Sequence, residues 1–458
     1  MFGSLNSILP EIPADQPVRR FLRGLFTLGM IAGYPVLVSF CPEPTPLSWI
    51  GLLACLYLGL CVVDADSALG ILIVYLPLQF EVIQGVRLVV TDMLVLVLIG
   101  VVWLRTILEG RIFRFGFGSG WLLLWMTVLL VSSALSLNPT VSVNMWIRVV
   151  KGVSVFLILC NRIQTRPQLD RLVLWMIVSG LFLACYGLAE SVTRFALIPW
   201  DVVGRFNNWI RVTTFVSQSN ETAWYLVPIF SLAMAAIRLA GNRWGRFLWG
   251  GVAVAIAGCI LLTFSRGGWI GLLVVWIAAP LTKKSKVAVL AALAVLMLFV
   301  APFRTNLMAR SVSVERKIVR YLLTPGLAAH HPVWGYGLGT YKSMGNYYPD
   351  LMPQDYRGRY SHSLYITLIV ETGMISAILF GGLLGTIGLR LLRILRQLKI
   401  RSPSDSVMAQ SLLAAFLAIV ILELGHSNLP VLMFWVLLAI FHIAPSVWVS
   451  KPAEEIGG

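Results

Sequence analysis

The sequence predicts an all-α polytopic membrane bundle of about 12–14 transmembrane helices, and three observations predict it. Of the 458 residues, 58% are hydrophobic and only 12% are charged, about half the charged share of a soluble chain. The apolar residues fall in many separate runs, and a hydrocarbon core about 30 Å thick takes roughly 20 apolar residues per helix. The 36 Lys and Arg outnumber the 20 Asp and Glu, for a net charge of +16, as in membrane proteins whose basic loops set topology. Soluble and fibrous classes are thereby excluded.

Fourteen spans follow in order: 24–41, 47–63, 67–84, 88–104, 119–136, 144–160, 172–189, 222–238, 247–263, 268–282, 287–303, 363–389, 407–424 and 430–448. The second, third and sixth are short or weak. The first apolar run, from about Gly24 to Pro35, is long enough to stay as a helix rather than a cleaved signal. The six cysteines (Cys41, Cys55, Cys61, Cys160, Cys185, Cys259) lie in or beside apolar runs, without metal-ligand spacing, and read as packing residues. Charge orients the bundle. With the N-terminus cytoplasmic, loops on that side carry 21 of the 36 basic residues, while short loops opposite carry only Arg87 and Arg266. Both termini are therefore expected in the cytoplasm and the protein in the inner (plasma) membrane. The chain divides into N-terminal helices (1–140), a second membrane region (141–450) and a short polar tail (451–458).

Two long segments fall on the outer side, from about Ser191 to Glu221 and across 304–362, the latter between the eleventh and twelfth spans. A connector of that length carrying aromatic residues and a run of arginines reads as functional. It is expected to fold back over the membrane surface in short helices, with Pro325-Gly326 interrupting the helix there.

Polar residues cluster at this outer face. Arg211 precedes a span in WIRVTTFVSQSNETAWYL, where it reads either as a solvated loop charge or as an anion ligand. Asn220 reads as a helix N-cap, compatible with an anion at that helix end. Arg266, in FSRGGWIG, either snorkels at a helix end or offers a phosphate a planar fork that cannot deprotonate. Its place on the face that disfavours positive charge favours the second reading. His362, in RYSHSLYITLIVETG, sits between the basic loop and the membrane, where a neutral imidazole can take a proton from a hydroxyl. Loop residues Arg310, Arg316, Lys317 and Arg320 read as attraction to lipid head groups or as substrate binding. His330 and His331 read as interfacial, and His442 as a packing residue. Arg148 and Lys151 lie within the sixth span, where pairing with Glu190 or Asp201 is a sufficient structural explanation.

Arg211 with Asn220, the FSRGGWIG turn, and HPVWGYGLGTY leading into SHSLYITLIVETG resemble, in that order over about residues 140–450, the O-antigen ligase and Wzy-type polymerase superfamily. The resemblance implies a glycosyltransferase of the polytopic membrane type that uses neither metal nor cofactor. Its donor would be a glycan on undecaprenyl pyrophosphate. Its acceptor would be a lipid A core sugar in a ligase, or another lipid-linked repeat in a polymerase, with the large loop periplasmic. By position, Arg211 and Arg266 would hold the pyrophosphate and His362 would activate the acceptor hydroxyl. The family's loop arginine corresponds here to one of Arg316, Lys317 and Arg320. A transporter of the same superfamily, drawing bicarbonate to a basic vestibule, is the alternative class. It should place charge along a midplane path with repeat-related broken helices, and no internal repeat is visible.

Overall fold

The computed structural model describes residues 21–30, 47–77, 90–108, 119–193, 204–206, 209–214, 218–279 and 311–449. Five helices, α1 (Phe21–Met30), α2 (Leu47–Val63), α3 (Ala65–Tyr75), α4 (Val90–Leu108) and α5 (Ser119–Ala134), form the N-terminal part. Then come α6 (Pro139–Arg162), α7 (Arg166–Thr193), a hairpin of β1 (Gly204–Phe206) and β2 (Trp209–Arg211), α8 (Ser219–Leu239), α9 (Arg243–Leu262) and α10 (Arg266–Ala278). The large loop contributes α11 (Ser311–His330) and α12 (Tyr341–Tyr347), and the chain closes with α13 (Gly373–Arg401), α14 (Pro403–Leu422) and α15 (Leu432–Val449). Seven of these, α6–α9 and α13–α15, are long and apolar enough to cross a membrane, and α1–α5 and α10 hold shorter apolar stretches. The span expected at 287–303, the C-terminal parts of the first and third spans, Cys41, Asp201, Arg310 and the tail lie outside the described residues.

Helix starts are written into the sequence. Asp64 caps α3 by accepting from the N–H groups of Asp66 and Ser67, and Asn242 caps α9. Asn138 caps α6 and Ser402 caps α14, each followed by a proline that needs no amide partner at the first helical position. Helices α8 and α15 are buried over most of their length, whereas α9 turns Phe247, Leu248 and Val254 outward, the apolar exterior of a helix facing lipid. Between helices, short polar ties supplement packing: Ser231 Oγ donates to the Ser411 carbonyl at 2.7 Å and Trp125 Nε1 to Ser376 Oγ at 2.9 Å.

Four expectations need correction. Lys151 pairs with Asp92 of α4 rather than with Glu190. Glu190, in the last turn of α7, is buried and accepts from the backbone N–H of Thr213 and Thr214 just beyond β2. Residues 363–389 are not one span: a short turn (Leu364–Ile366) and a π-helical turn (Thr367–Glu371) precede α13. Pro325 does not interrupt its helix, because α11 runs through it to His330. A proline removes one internal N–H bond, and here the helix beyond it is anchored by Leu327, which is buried and whose carbonyl accepts from Tyr336 OH at 3.1 Å. The loop thus begins with a 20-residue helix, not short ones, and closes over its own small core of Leu327, Tyr336, Tyr341, Met344, Met352, Ile366 and Val370. Finally, Asn220 is not an N-cap. Gln218 holds that position, and the Asn220 amide is used elsewhere.

Candidate functional site

The starts of α8, α10, α13 and α15 and the end of α14 meet at one end of the bundle. The loop covers that end and leaves an open cavity of about 590 Å³. Its wall takes Arg148 from α6, Asn220 and Glu221 from α8, Lys317 and Arg320 from α11, His362 and Glu371 from the segment before α13, and His426 from the turn after α14.

Arg211 reaches this place through the hairpin. Pairing of Gly204 with Arg211 ends the two-stranded ladder, and the chain then crosses to α9, where Val212 N–H donates to the Leu262 carbonyl at 3.2 Å. The Arg211 guanidinium donates through Nε to the Thr263 carbonyl at 2.9 Å and through Nη2 to Asn220 Oδ1 at 3.0 Å. It therefore clamps the end of α9 to the start of α8 directly behind the cavity wall.

Arg266 is the first residue of α10. The tight turn before it places Phe264 at φ 49, in the left-handed region, and Ser265 caps the helix by accepting from Gly268 N–H at 3.3 Å. Gly268 allows the turn to press against Ala223 of α8, where a Cβ would collide with the alanine methyl. Adjacent Gly267 faces His426, whose Nε2 would lie 4.0 Å from a Cβ there. The charge of Arg266 is felt by Lys317, so this guanidinium stands beside the same cluster.

His362 has φ 50, a conformation that a non-glycine residue adopts only when its surroundings enforce it. Both neighbours are tied down. Ser361 Oγ shares a hydrogen bond with Thr367 Oγ1 at 2.9 Å, and its carbonyl accepts from Arg320 Nη1 at 3.5 Å. Ser363 Oγ bonds Tyr321 OH at 2.8 Å, and that tyrosine donates to the Leu424 carbonyl, also at 2.8 Å. Burial, then the charges of Arg320 and Lys317, hold the His362 imidazole below its ordinary pKa, so it is neutral near pH 7. Burial followed by the nearby cations Arg320 and Arg266 also lowers the Lys317 ammonium.

The two glycine-bearing motifs of the sequence turn out to be one structural lock. Tyr336 N–H donates to the Val370 carbonyl at 3.1 Å and Gly337 N–H to the Glu371 carbonyl at 2.7 Å. The Glu371 carboxylate in turn accepts from Gly339 N–H at 2.5 Å and from the backbone of Tyr341. Gly335 and Gly373, at φ 67 and 81, have backbone carbonyls where a Cβ would sit, those of Glu371 and Val333. The aromatic loop is thus fastened to the segment that bears His362.

Of the residues singled out from sequence, His362, Lys317, Arg320 and Asn220 line the cavity, and Arg211 and Arg266 adjoin it. The side chain of Arg316 lies outside the description. Sequence reasoning missed Glu371, Glu221 and His426 as site residues. Burial, with the charges of Lys317 and His362, pushes the His426 imidazole down to about 3. The one available signal was the repeated His-Ser pair, His362-Ser363 and His426-Ser427, at successive span mouths.

Fold and site together define a polytopic helical membrane protein with a cationic, imidazole-bearing cavity at one end of its bundle. Residues 251–381 match the protein family described as O-antigen ligase. That stretch runs from α9 into α13 and carries Arg266, Lys317, Arg320, His362 and Glu371, so the resemblance to the O-antigen ligase and polymerase superfamily holds over this part of the chain. Arg211, Asn220 and His426 fall outside it. No curated protein matches the chain in sequence.

Proposed function

We propose that the protein transfers a glycan from undecaprenyl pyrophosphate to an acceptor hydroxyl, as an O-antigen ligase does, from a cavity open to the periplasmic face of the inner membrane. Both termini are then cytoplasmic, as the loop charges favour. The observation that carries the reading is the gathering of three guanidinium groups (Arg148, Arg320 and Arg359), the Lys317 ammonium and the two neutral imidazoles of His362 and His426 at one opening, with Arg211 clamped behind it.

In this mechanism the acceptor oxygen attacks the anomeric carbon with inversion while His362 takes the hydroxyl proton. The bond between that carbon and the phosphate oxygen breaks, and undecaprenyl pyrophosphate leaves with the electron pair. Negative charge grows on the leaving group, and fixed cations in a part-dry site stabilise it better than reorganising water does. Arg211 and Arg266 hold the pyrophosphate, with Lys317, Arg320 and Asn220 as further ligands on the loop and α8 sides. Loss of one such group removes about 3 kcal/mol of transition-state stabilisation, whereas a general base contributes about 10²–10⁴-fold. The acceptor is a lipid A core sugar or a similar hydroxyl, and a second lipid-linked glycan would make the same chemistry a polymerase.

The test is transfer by purified protein supplied with lipid-linked glycan and candidate acceptors in detergent. Acceptor-dependent release of undecaprenyl pyrophosphate is expected. Release that is unaffected by removing both Arg211 and Arg266 would overturn the assignment.

A further inference from the structure

We propose that the open cleft along α13 at Arg390 and Arg393 binds the phosphate of an anionic phospholipid headgroup. This site is remote from the cavity. Arg390 stands seventeen residues beyond Gly373, the first residue of α13, and at 1.5 Å per residue that is about 26 Å along the helix. It therefore lies close to one hydrocarbon thickness away, at the opposite end of the bundle.

Thr386, Leu389, Arg390 and Arg393 recur at helical spacing on one face of α13 and line an open cleft of about 440 Å³. Arg390 is steadied from one side, donating through Nη2 to Ser446 Oγ of α15 at 2.7 Å, which leaves most of its five donors for other acceptors. The other half-buried arginines described at this end have carboxylates: Arg162 has Asp66, and Arg166 has both Asp170 and Asp405. Among the described residues, neither Arg390 nor Arg393 forms an ion pair. Arg390 is nevertheless half-buried, unlike exposed Arg396 one turn and a half further on.

A guanidinium withdrawn from water demands an anion, and a planar fork beside a second one matches phosphate oxygens. The position selects the source. Leu389 and Leu392, exposed beside the cleft, give acyl chains an apolar surface, and clustered basic side chains at the membrane boundary are where anionic lipid head groups lie.

The test uses full-length protein, delipidated in a non-ionic detergent, with thermal unfolding followed on titration with phosphatidylglycerol, phosphatidylcholine or inorganic phosphate. Phosphatidylglycerol is expected to raise the melting temperature, and the other two are not. Arg390→Gln and Arg393→Gln should each lose most of that rise, while Arg396→Gln should retain it. Because Arg393 is exposed, its variant carries the test if Arg390→Gln fails to fold. The proposal is overturned if wild-type protein shows no rise with phosphatidylglycerol, or if the rise survives in Arg393→Gln. It is equally overturned if Arg396→Gln loses the rise to the same extent, which marks general surface charge, or if inorganic phosphate reproduces it.

Discussion

Replacing Glu371 by alanine tests the lock between the aromatic loop and the bundle. The carboxylate accepts from the N–H groups of Gly339 and Tyr341, and both it and Tyr341 are buried. Truncation leaves the buried Tyr341 N–H without an acceptor at roughly 1–3 kcal/mol, while the Gly339 N–H, on the cavity wall, can turn to solvent. Glutamine keeps one carbonyl oxygen in the same place and removes the cost of burying a carboxylate, so Glu371→Gln should cost no more than about 1 kcal/mol. Thermal unfolding in detergent, with limited proteolysis of the loop around residues 335–341, reads the difference. Glu371→Ala should melt well below wild type and expose the loop to protease, with Glu371→Gln close to wild type in both. Transfer activity should follow the same order, since Gly339 and Glu371 both line the cavity. An alanine variant that melts like wild type with a protease-resistant loop would refute the reasoning, because the Tyr341 amide would then have found another partner at no cost.

Arg266→Ala should reduce transfer by 10²–10³-fold, and full activity without Arg266 in the purified assay would end the proposed chemistry. Gly373→Ala should fail to accumulate, as the left-handed backbone and the Val333 carbonyl both oppose a Cβ. Gly358→Ala, at φ 71 with open space around it, should cost only about 1–2 kcal/mol, and equal expression of the two variants would contradict this. His426 is held down to about 3 against an ordinary 6.5, so the unfolded chain takes up its proton first on acidification. Its contribution to stability is complete above pH 6.5 and is lost as pH falls from there toward 3. Melting temperature should decline over that range, and His426→Gln should decline less. Parallel curves would show that other groups carry the acid sensitivity.

The membrane helices were readable from sequence because hydropathy is a one-dimensional property: each span needs about the same length of apolar chain whatever it packs against. The described helices follow the fourteen-span division closely, and the exceptions lie where local and tertiary preferences conflict. Pro325 argues locally for a break, yet burial of Leu327 and the bond from Tyr336 hold the helix together beyond it. Thr367–Glu371 is apolar enough to look like the start of a span, but it winds as a π-turn whose backbone serves the loop.

The site divides the same way. Arg266 and His362 could be singled out because a charge on a charge-poor face and an imidazole at a span mouth are visible in isolation. Glu371 could not. Its partners are backbone N–H groups 32 residues away in the case of Gly339, and an amide leaves no trace in residue identity. His426 was hidden for a related reason, since only the return of the chain from α14 to α15 brings it against the α10 turn at Gly267. Arg211 falls between these cases. Its charge was conspicuous, but the clamp it also makes between the Thr263 carbonyl and Asn220 was not, a geometry that a lysine could not reproduce with a single ammonium. The glycines in GYGLGTY and ETG therefore carry more of the site than their lack of side chains implies: they let two backbones approach closely enough for Glu371 to bind both, and this contact holds the cavity wall beside His362 in place.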